Sequence, residues 1–192
     1  MTMKIASSEY APGTTVKRLN AGCGSCIVPG WMHADRLAAD GVDFPCDIRA
    51  GLPVDSDHFD YVVAMHLLQD LPYPDVLPAL CELRRVLKRG GVLRLGLPDL
   101  DRAIAAYLRR DHGYFYIPDD DGASIGSKLV TQVVWYGSVR TPFTYEFIEE
   151  WLRKADFREV TRCAFKQTHS SYADIVQLDN RERETLFVEA HK

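Results

Sequence analysis

The chain has 192 residues, a formal net charge of -4, 46% hydrophobic residues and 26% charged residues, an ordinary composition for one globular domain with a sizeable core. The acidic balance provides no basic surface, and no apolar run approaches the ~20 residues of a membrane span, so neither nucleic acid nor a membrane is expected as a partner. The amino terminus lacks the charged-then-apolar pattern of a signal peptide, which predicts a cytoplasmic protein.

Three short strands, each followed by a loop suited to a nucleoside-bearing ligand, are predicted between residues 16 and 47. The first strand, Val16–Asn20, runs into Gly22 and Gly24, which allow positive φ and close approach of a ligand to the backbone. The second strand ends at Asp35, a carboxylate that can accept two hydrogen bonds from a ribose diol. The third ends at Asp47, which can accept a hydrogen bond from an adenine amine.

Later segments extend this pattern into a family resemblance. The segments concerned are Val16–Ser25, Trp31–Asp35, Phe44–Asp47, Phe59–Leu71, Leu83–Leu95 and Leu178–Ala190. Together they resemble the class I S-adenosylmethionine (SAM)-dependent methyltransferases, and within them a small bacterial subgroup with a type-11 core. A dinucleotide-binding loop would need a third glycine where this chain has Ile27, and an acid farther along than Asp35, so the sequence favours SAM over NAD.

The resemblance implies one Rossmann-like α/β domain over residues 1–192. Its sheet is expected to be mostly parallel, with seven strands in the order 3-2-1-4-5-7-6 and helices on both faces. Only ten residues separate Asn20 from Trp31, whereas a full crossover needs at least ~10–12. The first crossover helix is therefore predicted to be shortened, to about a single turn.

The cofactor implied by the resemblance is SAM, with S-adenosylhomocysteine as product. The cofactor-binding residues expected on this basis are Asn20, Ala21, Gly22, Cys23, Gly24, Asp35, Arg36, Asp47, Ile48, Met65 and His66. The expected reaction moves a methyl group to an oxygen or nitrogen of a small-molecule metabolite, and the protein is expected to be a monomer or a homodimer. The alternative is a protein of the same fold that binds SAM or its product without methyl transfer, in a regulatory or rearrangement role.

His66 and Asp70 are the candidate catalytic residues. His66 follows the apolar strand Tyr61–Met65 at its carboxyl end, where ligands bind in open α/β sheets. It is either a general base or a residue that ends the strand through a hydrogen bond to the backbone. The subgroup commonly has Glu-His where this chain has Gln69-Asp70, so Asp70 either supplies the missing acid or begins the turn at Pro72.

Residues 111–141 fall outside the resemblance, and they are expected to form a lid over the acceptor pocket. The candidate substrate-binding residues are Asp99, Tyr114, Tyr116, Trp135 and Tyr136. The four aromatic side chains can instead form a dimer contact or extra core, and Asp99 can instead cap the next helix. Asp119–Asp121 can ligate a divalent cation or form a solvated turn; no metal is expected.

Three further features leave alternatives open. Cys23 and Cys26 form a Cys-x-x-Cys, either a redox pair or half of a zinc site, or simply small residues in the glycine loop. Tyr10, in an arm over residues 1–15, either covers the cofactor or lies on the surface. Arg181 and Arg183, with Asp179, precede the last strand and form either an ion-paired turn or an acceptor contact.

Two helix predictions follow from local pattern. Asp75 is expected to cap a helix with Pro78 in its first turn, which Gly90-Gly91 ends. A following helix over residues 100–110 is expected to bury Ile104, Tyr107 and Leu108.

Overall fold

The computed structural model describes residues 16–192, so the predicted amino-terminal arm and Tyr10 lie outside the described residues. The strands are β1 (Arg18–Ala21), β2 (Met32–Asp35), β3 (Phe44–Pro45), β4 (Phe59–Met65), β5 (Leu87–Pro98), β6 (Arg158–Cys163) and β7 (Thr185–His191). The α-helices are α1 (Tyr73–Val86), α2 (Leu100–Leu108), α3 (Ile125–Val134) and α4 (Tyr145–Lys154). Short 3₁₀ helices span Ile48–Ala50, Leu68–Asp70, His112–Tyr114, Trp135–Gly137 and Ala173–Val176.

The strands form one sheet in the order β3-β2-β1-β4-β5-β7-β6. All neighbouring strands are parallel except β7, which runs antiparallel to both β5 and β6. This arrangement confirms the predicted fold class and strand order. It also brings the carboxyl ends of β1, β2 and β4 to the same edge of the sheet as the beginning of β7.

Strand β4 lies at the centre and is buried on both faces. Val62 and Ala64 belong to the core cluster that contains residues of α1 and α4, whereas Tyr61 and Val63 belong to the cluster on the opposite face. Because side chains alternate along a strand, these two pairs define the two layers of the domain. Near Asp60 the register with β5 shifts, so that Phe59 lies on the same face as Val62.

The two faces of the sheet are covered differently. On one face α1 and α4 bury Leu80, Leu83 and Ile148. On the other, the core cluster is closed by Trp31 from the β1–β2 loop and Ile175 from the 3₁₀ helix, not by an α-helix. Residues 22–31 contain turns only, so the first crossover is shortened further than the predicted single helical turn. Among residues 16–192, no helix combines the length and apolarity needed to cross a membrane.

Helix α1 differs at both ends from the prediction. It begins at Tyr73 after Pro72, so Asp75 lies in its first turn instead of capping it, and Pro78 lies farther inside the helix. It ends at Val86, before the two glycines, because Leu87 is fully buried and already pairs with Phe59 of β4. Tertiary pairing of a buried residue here overrides the glycine stop signal.

The buried face of α2 was also predicted wrongly. Ala103 and Ala106 are buried against Tyr114, Phe115 and Ile125. The three larger side chains expected there, Ile104, Tyr107 and Leu108, are exposed. Small residues allow the close approach between α2 and the 112–134 region, which leaves the bulky side chains outside.

A buried ionic network fixes the loop that precedes β7. The guanidinium of Arg94 donates to both carboxylate oxygens of Asp179 at 2.7 and 2.6 Å and to Glu189 at 2.6 Å. All three side chains are essentially inaccessible. The main partner of Asp179 is therefore a strand residue in the core, and not the neighbouring arginines of its own turn. Because Asp179 also accepts from the backbone of Lys166 at 2.8 Å, it holds both ends of the 166–179 loop.

Candidate active site

A cavity of about 560 Å³ opens at the carboxyl ends of β1, β2 and β4, within the size range of small-molecule sites. Nine of the expected cofactor-binding residues line it: Ala21, Gly22, Gly24, Asp35, Arg36, Asp47, Ile48, Met65 and His66. Its wall also includes Asp70, Ser138 and Arg140. Two expected residues, Asn20 and Cys23, are buried beside it and are not part of its surface.

The glycine loop between β1 and β2 is built from backbone hydrogen bonds. Gly22 has a φ of +71°, and its N–H donates to the carbonyl of Ala34 at 2.8 Å. A Cβ at position 22 would lie 2.9 Å from Leu67 Cδ1. Asn20 supports the loop from below, since its side-chain amide donates to the carbonyl of Cys26 at 3.0 Å. Glycine is therefore required at position 22 both by conformation and by space.

The two predicted cofactor carboxylates lie at the cavity wall with partners of their own. Asp35 accepts from the N–H of Gly24 at 2.8 Å and from Leu37 at 3.0 Å, one bond to each oxygen. Each oxygen keeps a lone pair for a ribose hydroxyl. Asp47 caps the 3₁₀ helix Ile48–Ala50 and pairs with the guanidinium of Arg49 at 2.5 Å. That guanidinium lowers the pKa of Asp47 to about 2, so the carboxylate is ionised at neutral pH.

The two cysteines of the Cys-x-x-Cys are free thiols. Cys23 is buried, and this burial together with the nearby Asp35 raises the pKa of its thiol. Among residues 16–192, no group of three or more His, Cys, Asp or Glu side chains is arranged to hold a metal ion. The structural interpretation of this motif is therefore the one that the geometry supports.

His66 occupies an unusual backbone position directly after β4. Its φ is +55°, and its N–H donates to the carbonyl of Gly96 at 2.8 Å. Burial, with a smaller contribution from the charge of Arg181, lowers the pKa of the imidazole to about 4. The ring is therefore neutral at pH 7, and its Nδ1 is buried without a hydrogen-bond partner among the described residues.

A second, smaller cavity of about 70 Å³ adjoins the first. Both cavities are lined by His66, Asp70 and Ser138. The other lining residues of the small cavity are Gln69, Pro98, Asp99, Leu100, Ala103, Tyr114, Gln132, Val133, Trp135, Val139, Pro142, Arg181 and Glu184. His66 and Asp70 thus stand at the junction between a cofactor-sized space and a smaller space beside it.

The predicted substrate-binding aromatic residues divide into two pairs. Tyr114 and Trp135 line the small cavity. Tyr116 and Tyr136 do not: the guanidinium of Arg183 lies 3.9 Å from the ring centroid of Tyr116, and the hydroxyl of Tyr136 donates to Asp121 at 2.6 Å.

The acidic candidates around the insert are placed as follows. Asp99 caps α2 by accepting from the N–H of Arg102 at 3.0 Å and also accepts from Arg162 at 2.7 Å, while lining the small cavity. Asp119 pairs with Lys128 at 2.7 Å, so the acidic run 119–121 is tied into the insert by Lys128 and Tyr136. Asp70 makes no hydrogen bond through its carboxylate within residues 16–192, and burial raises its pKa.

Several lining residues were not among the predicted site residues. Gln69 was noted only as a departure from the resemblance, and Arg140 and Glu184 carried no sequence signal at all. Arg181 and Glu184 reach the site because β7 is antiparallel: the turn before it lies at the same edge as the carboxyl end of β4. The sequence indicated the turn that carries Arg181. Its position beside the site follows from the antiparallel direction of β7 in the structure.

A family model described as a methyltransferase domain matches residues 32–95, from β2 into β5. No curated protein sequence matches the chain. A SAM-dependent methyltransferase, possible histamine N-methyltransferase, from Thermotoga maritima superposes with a TM-score of 0.55 at 20% identity, over 92% of this chain and 82% of that one.

Two further solved structures share the fold. A SAM-dependent methyltransferase from Archaeoglobus fulgidus gives a TM-score of 0.57 at 12% identity, over 92% of this chain and 86% of its own. The third is the Burkholderia thailandensis 1,6-didemethyltoxoflavin-N1-methyltransferase, solved with 1,6-didemethyltoxoflavin and S-adenosylhomocysteine. It gives a TM-score of 0.52 at 14% identity, over 91% of this chain and 70% of its own. At such identities the likeness is one of fold. Together with the matched segment, it shows that the chain has the fold of the class I SAM-dependent methyltransferases.

Proposed function

We propose that this enzyme transfers the methyl group of SAM to a nitrogen or oxygen of a small-molecule metabolite. The observation that carries the proposal is the junction of the two cavities at His66 and Asp70. The larger cavity accommodates the cofactor, and the smaller one accommodates the reactive end of an acceptor. A space of about 70 Å³ is too small for a folded macromolecular segment, which favours a small molecule.

Six residues of the larger cavity hold different parts of the cofactor. The backbone around Gly22 and Gly24 meets the methionine end, Asp35 accepts from the ribose hydroxyls, and Asp47 lies at the adenine end. Met65 and His66 form the floor beneath the sulfonium. SAM supplies an activated methyl carbon, so the main contribution of the protein is alignment, which can be worth ~7–11 kcal/mol of the barrier.

His66 acts on the acceptor as a hydrogen-bond partner. Its imidazole is neutral at pH 7 because burial lowers its pKa to about 4. A ring of such low basicity orients an N–H or O–H of the acceptor without carrying a full proton away. Asp70, whose pKa is raised by burial, is the carboxylate that takes the proton when the acceptor is a hydroxyl.

Residues 111–141 act as a lid over the acceptor pocket. Helix α3 and the following turn form one wall through Val133 and Trp135. The end of the segment is attached to the cofactor side, because the N–H groups of Arg140 and Thr141 both donate to the carbonyl of Gln69, at 2.8 and 3.1 Å. Tyr116 and Tyr136 lie outside the small cavity and are exposed, so they are available to the distal part of a larger acceptor.

The proposal is tested with trideuteromethyl-labelled SAM and a small-metabolite extract. We expect the purified enzyme to transfer the label to one or a few metabolites, detected by mass spectrometry. Asp35→Ala should weaken SAM binding about 10–100-fold in isothermal titration, since hydrogen bonds to a charged group are worth about 1.5–3 kcal/mol. The matched control, Asp40→Ala, changes an exposed carboxylate in the next loop and should leave the affinity unchanged.

Two outcomes would contradict the proposal. Unchanged SAM affinity in Asp35→Ala would remove the ribose assignment. Tight SAM binding with no labelled metabolite would support the alternative, a protein that binds SAM or its product without methyl transfer.

A further inference from the structure

A third cavity, of about 530 Å³, lies outside the methyl-transfer site. Its walls are α2, the segment after β6 and the turn before β7. Among residues 16–192 it shares Tyr114 with the small cavity and no lining residue with the larger one. Because Tyr114 is buried, it forms a common wall between two separate spaces.

The charge of this lining is opposite to that of the chain as a whole. The chain carries a formal net charge of -4, whereas three arginines and one acid line the cavity: Arg102, Arg109, Arg183 and Glu182. The other lining residues are alanine, tyrosine and phenylalanine. Three positive charges and one negative charge leave the described lining with a formal charge of +2.

Two of the three guanidinium groups are held in place by backbone carbonyls. Nη1 of Arg102 donates to the carbonyls of Glu182 and Arg183, at 2.8 and 3.2 Å. Nη1 of Arg183 donates to the carbonyl of Gly113 at 3.1 Å, and this guanidinium stacks 3.9 Å from the ring centroid of Tyr116. A carbonyl does not cancel the charge, and a guanidinium has five N–H donors. Both groups therefore keep donors for a ligand.

The remaining contacts leave the positive charge largely uncompensated. Arg102 lies 3.2 Å from the carboxylate of Asp99, but that carboxylate also pairs with Arg162 at 2.7 Å, so one acid serves two cations. Arg109 is exposed, and within residues 16–192 its side chain makes no hydrogen bond or ion pair. The cavity thus combines two positioned guanidinium groups with one that has no partner.

We propose that this cavity binds a small phosphomonoester, separately from the cofactor and the methyl acceptor. The planar fork of a guanidinium matches the oxygens of a phosphate in bidentate geometry. A phosphomonoester dianion balances the formal charge of +2, whereas a carboxylate or a sulfate ester balances half of it. The half-buried ring of Phe165 provides an apolar wall for the carbon part of the ligand.

The test measures binding to enzyme saturated with S-adenosylhomocysteine, since Arg36, Arg49 and Arg140 of the cofactor cavity would otherwise compete for the probe. Phenyl phosphate and phenyl sulfate, which share one ring, are titrated at about pH 8, where the phosphate is a dianion. Isothermal titration gives both affinities. We expect phenyl phosphate to bind about threefold more tightly or better, because its second negative charge adds to the attraction.

Three variants locate the probe. Arg109→Gln removes a guanidinium without structural contacts and should weaken binding of phenyl phosphate about three- to fivefold, the scale of an exposed charge interaction. Arg110→Gln is the matched control, because it removes the same charge from an exposed neighbour outside the lining, and it should leave the affinity unchanged. Glu182→Gln removes the acid and should strengthen binding about twofold.

Binding of S-adenosylhomocysteine to each variant checks the folding. Absence of phenyl phosphate binding, or equal affinity for the two probes, would overturn the proposal. So would an equal loss in Arg110→Gln, or no gain in Glu182→Gln, since the cavity would then not sense its own charges. A loss in Arg181→Gln with none in Arg109→Gln would move the phosphate to the acceptor cavity and refute the separate site. None of these results depends on turnover, so the proposed methyl transfer stands or falls independently.

Discussion

The hydroxyl of Thr185 lies 3.3 Å from Nε2 of His66 and joins the first residue of β7 to the residue that follows β4. The two residues are 119 positions apart in the chain. The same hydroxyl donates to the carbonyl of Asn180 at 3.2 Å, so we expect its oxygen to accept from Nε2–H and to favour one tautomer of the imidazole. Thr185 is therefore a positioning residue for His66.

Replacing Thr185 by valine removes this acceptor with little change in volume. We expect the ¹⁵N chemical shifts of His66 to move toward values averaged over both tautomers, because Nε2–H loses its partner. Thr185→Ser keeps the hydroxyl and should restore the single tautomer. Identical ¹⁵N shifts in Thr185→Val and the unaltered enzyme would show that another contact sets the tautomer.

The pH dependence of stability should report the burial of His66. Its folded pKa of about 4 lies below the unfolded value of ~6.5, so unfolded chains take up a proton first as the pH falls. The free energy of unfolding should therefore drop through this window, by about 2 kcal/mol between about pH 7 and about pH 5.

His66→Asn should remove that drop, since asparagine tolerates positive φ and does not titrate. Urea unfolding at the two pH values measures the effect. The exposed His112 provides the control, and His112→Asn should leave the pH dependence of the free energy of unfolding unchanged. If the free energy of unfolding fell by the same amount in His66→Asn as in the unaltered protein, the acid-sensitive group would be a residue other than His66.

The two glycines of the cofactor loop form a matched pair. Both have positive φ, +71° for Gly22 and +51° for Gly24, so alanine at either position should cost about 1–2 kcal/mol. Only at Gly22 would the added Cβ also meet Leu67, at 2.9 Å, since nothing lies within 4 Å of the same atom at position 24.

Gly22→Ala should therefore displace Leu67 into the cavity and weaken SAM binding in isothermal titration more than Gly24→Ala does. Equal losses of affinity in the two variants would mean that backbone strain alone limits the loop.

Removing the buried cation of the Arg94 network should strongly destabilise the fold. Arg94→Met leaves Asp179 and Glu189 buried without their partner, and breaking such a network by removing one member costs about 3–5 kcal/mol. The exposed i,i+4 pair of Arg153 and Glu149 provides the comparison: Arg153→Met should cost less than about 1 kcal/mol.

Urea unfolding of the two variants gives both free energies. Similar losses would show that the Arg94 network is no stronger than a surface ion pair. A triple variant, with Asp179→Leu and Glu189→Leu added to Arg94→Met, should recover part of the loss.

The strands were predictable from the sequence because their signals are local, whereas their order in the sheet was implied by the family resemblance. Apolar runs such as Tyr61–Met65 mark central strands, and the glycines and acids that follow them mark the edge where ligands bind. Asp35 and Asp47 were found in this way, and both line the larger cavity.

The remaining features depend on contacts between distant segments. The end of α1 is set by pairing of Leu87 with β4, which a pair of glycines nearby does not reveal. The buried side of α2 is set by what it meets, and two alanines form it. Glu184 meets Gln69 at the small cavity only because β7 folds back beside β5, and no residue pattern within either segment encodes that meeting.

The turn-only connection between β1 and β2 has an electrostatic consequence. In most folds of this type the amino end of a crossover helix directs a partial positive charge at the anionic end of the ligand. Here that helix is missing from residues 22–31, while Arg36, Arg49 and Arg140 line the same cavity. We therefore expect attraction for the methionine carboxylate to come from side-chain charge and not from a helix dipole, and capture of the cofactor should then be sensitive to ionic strength.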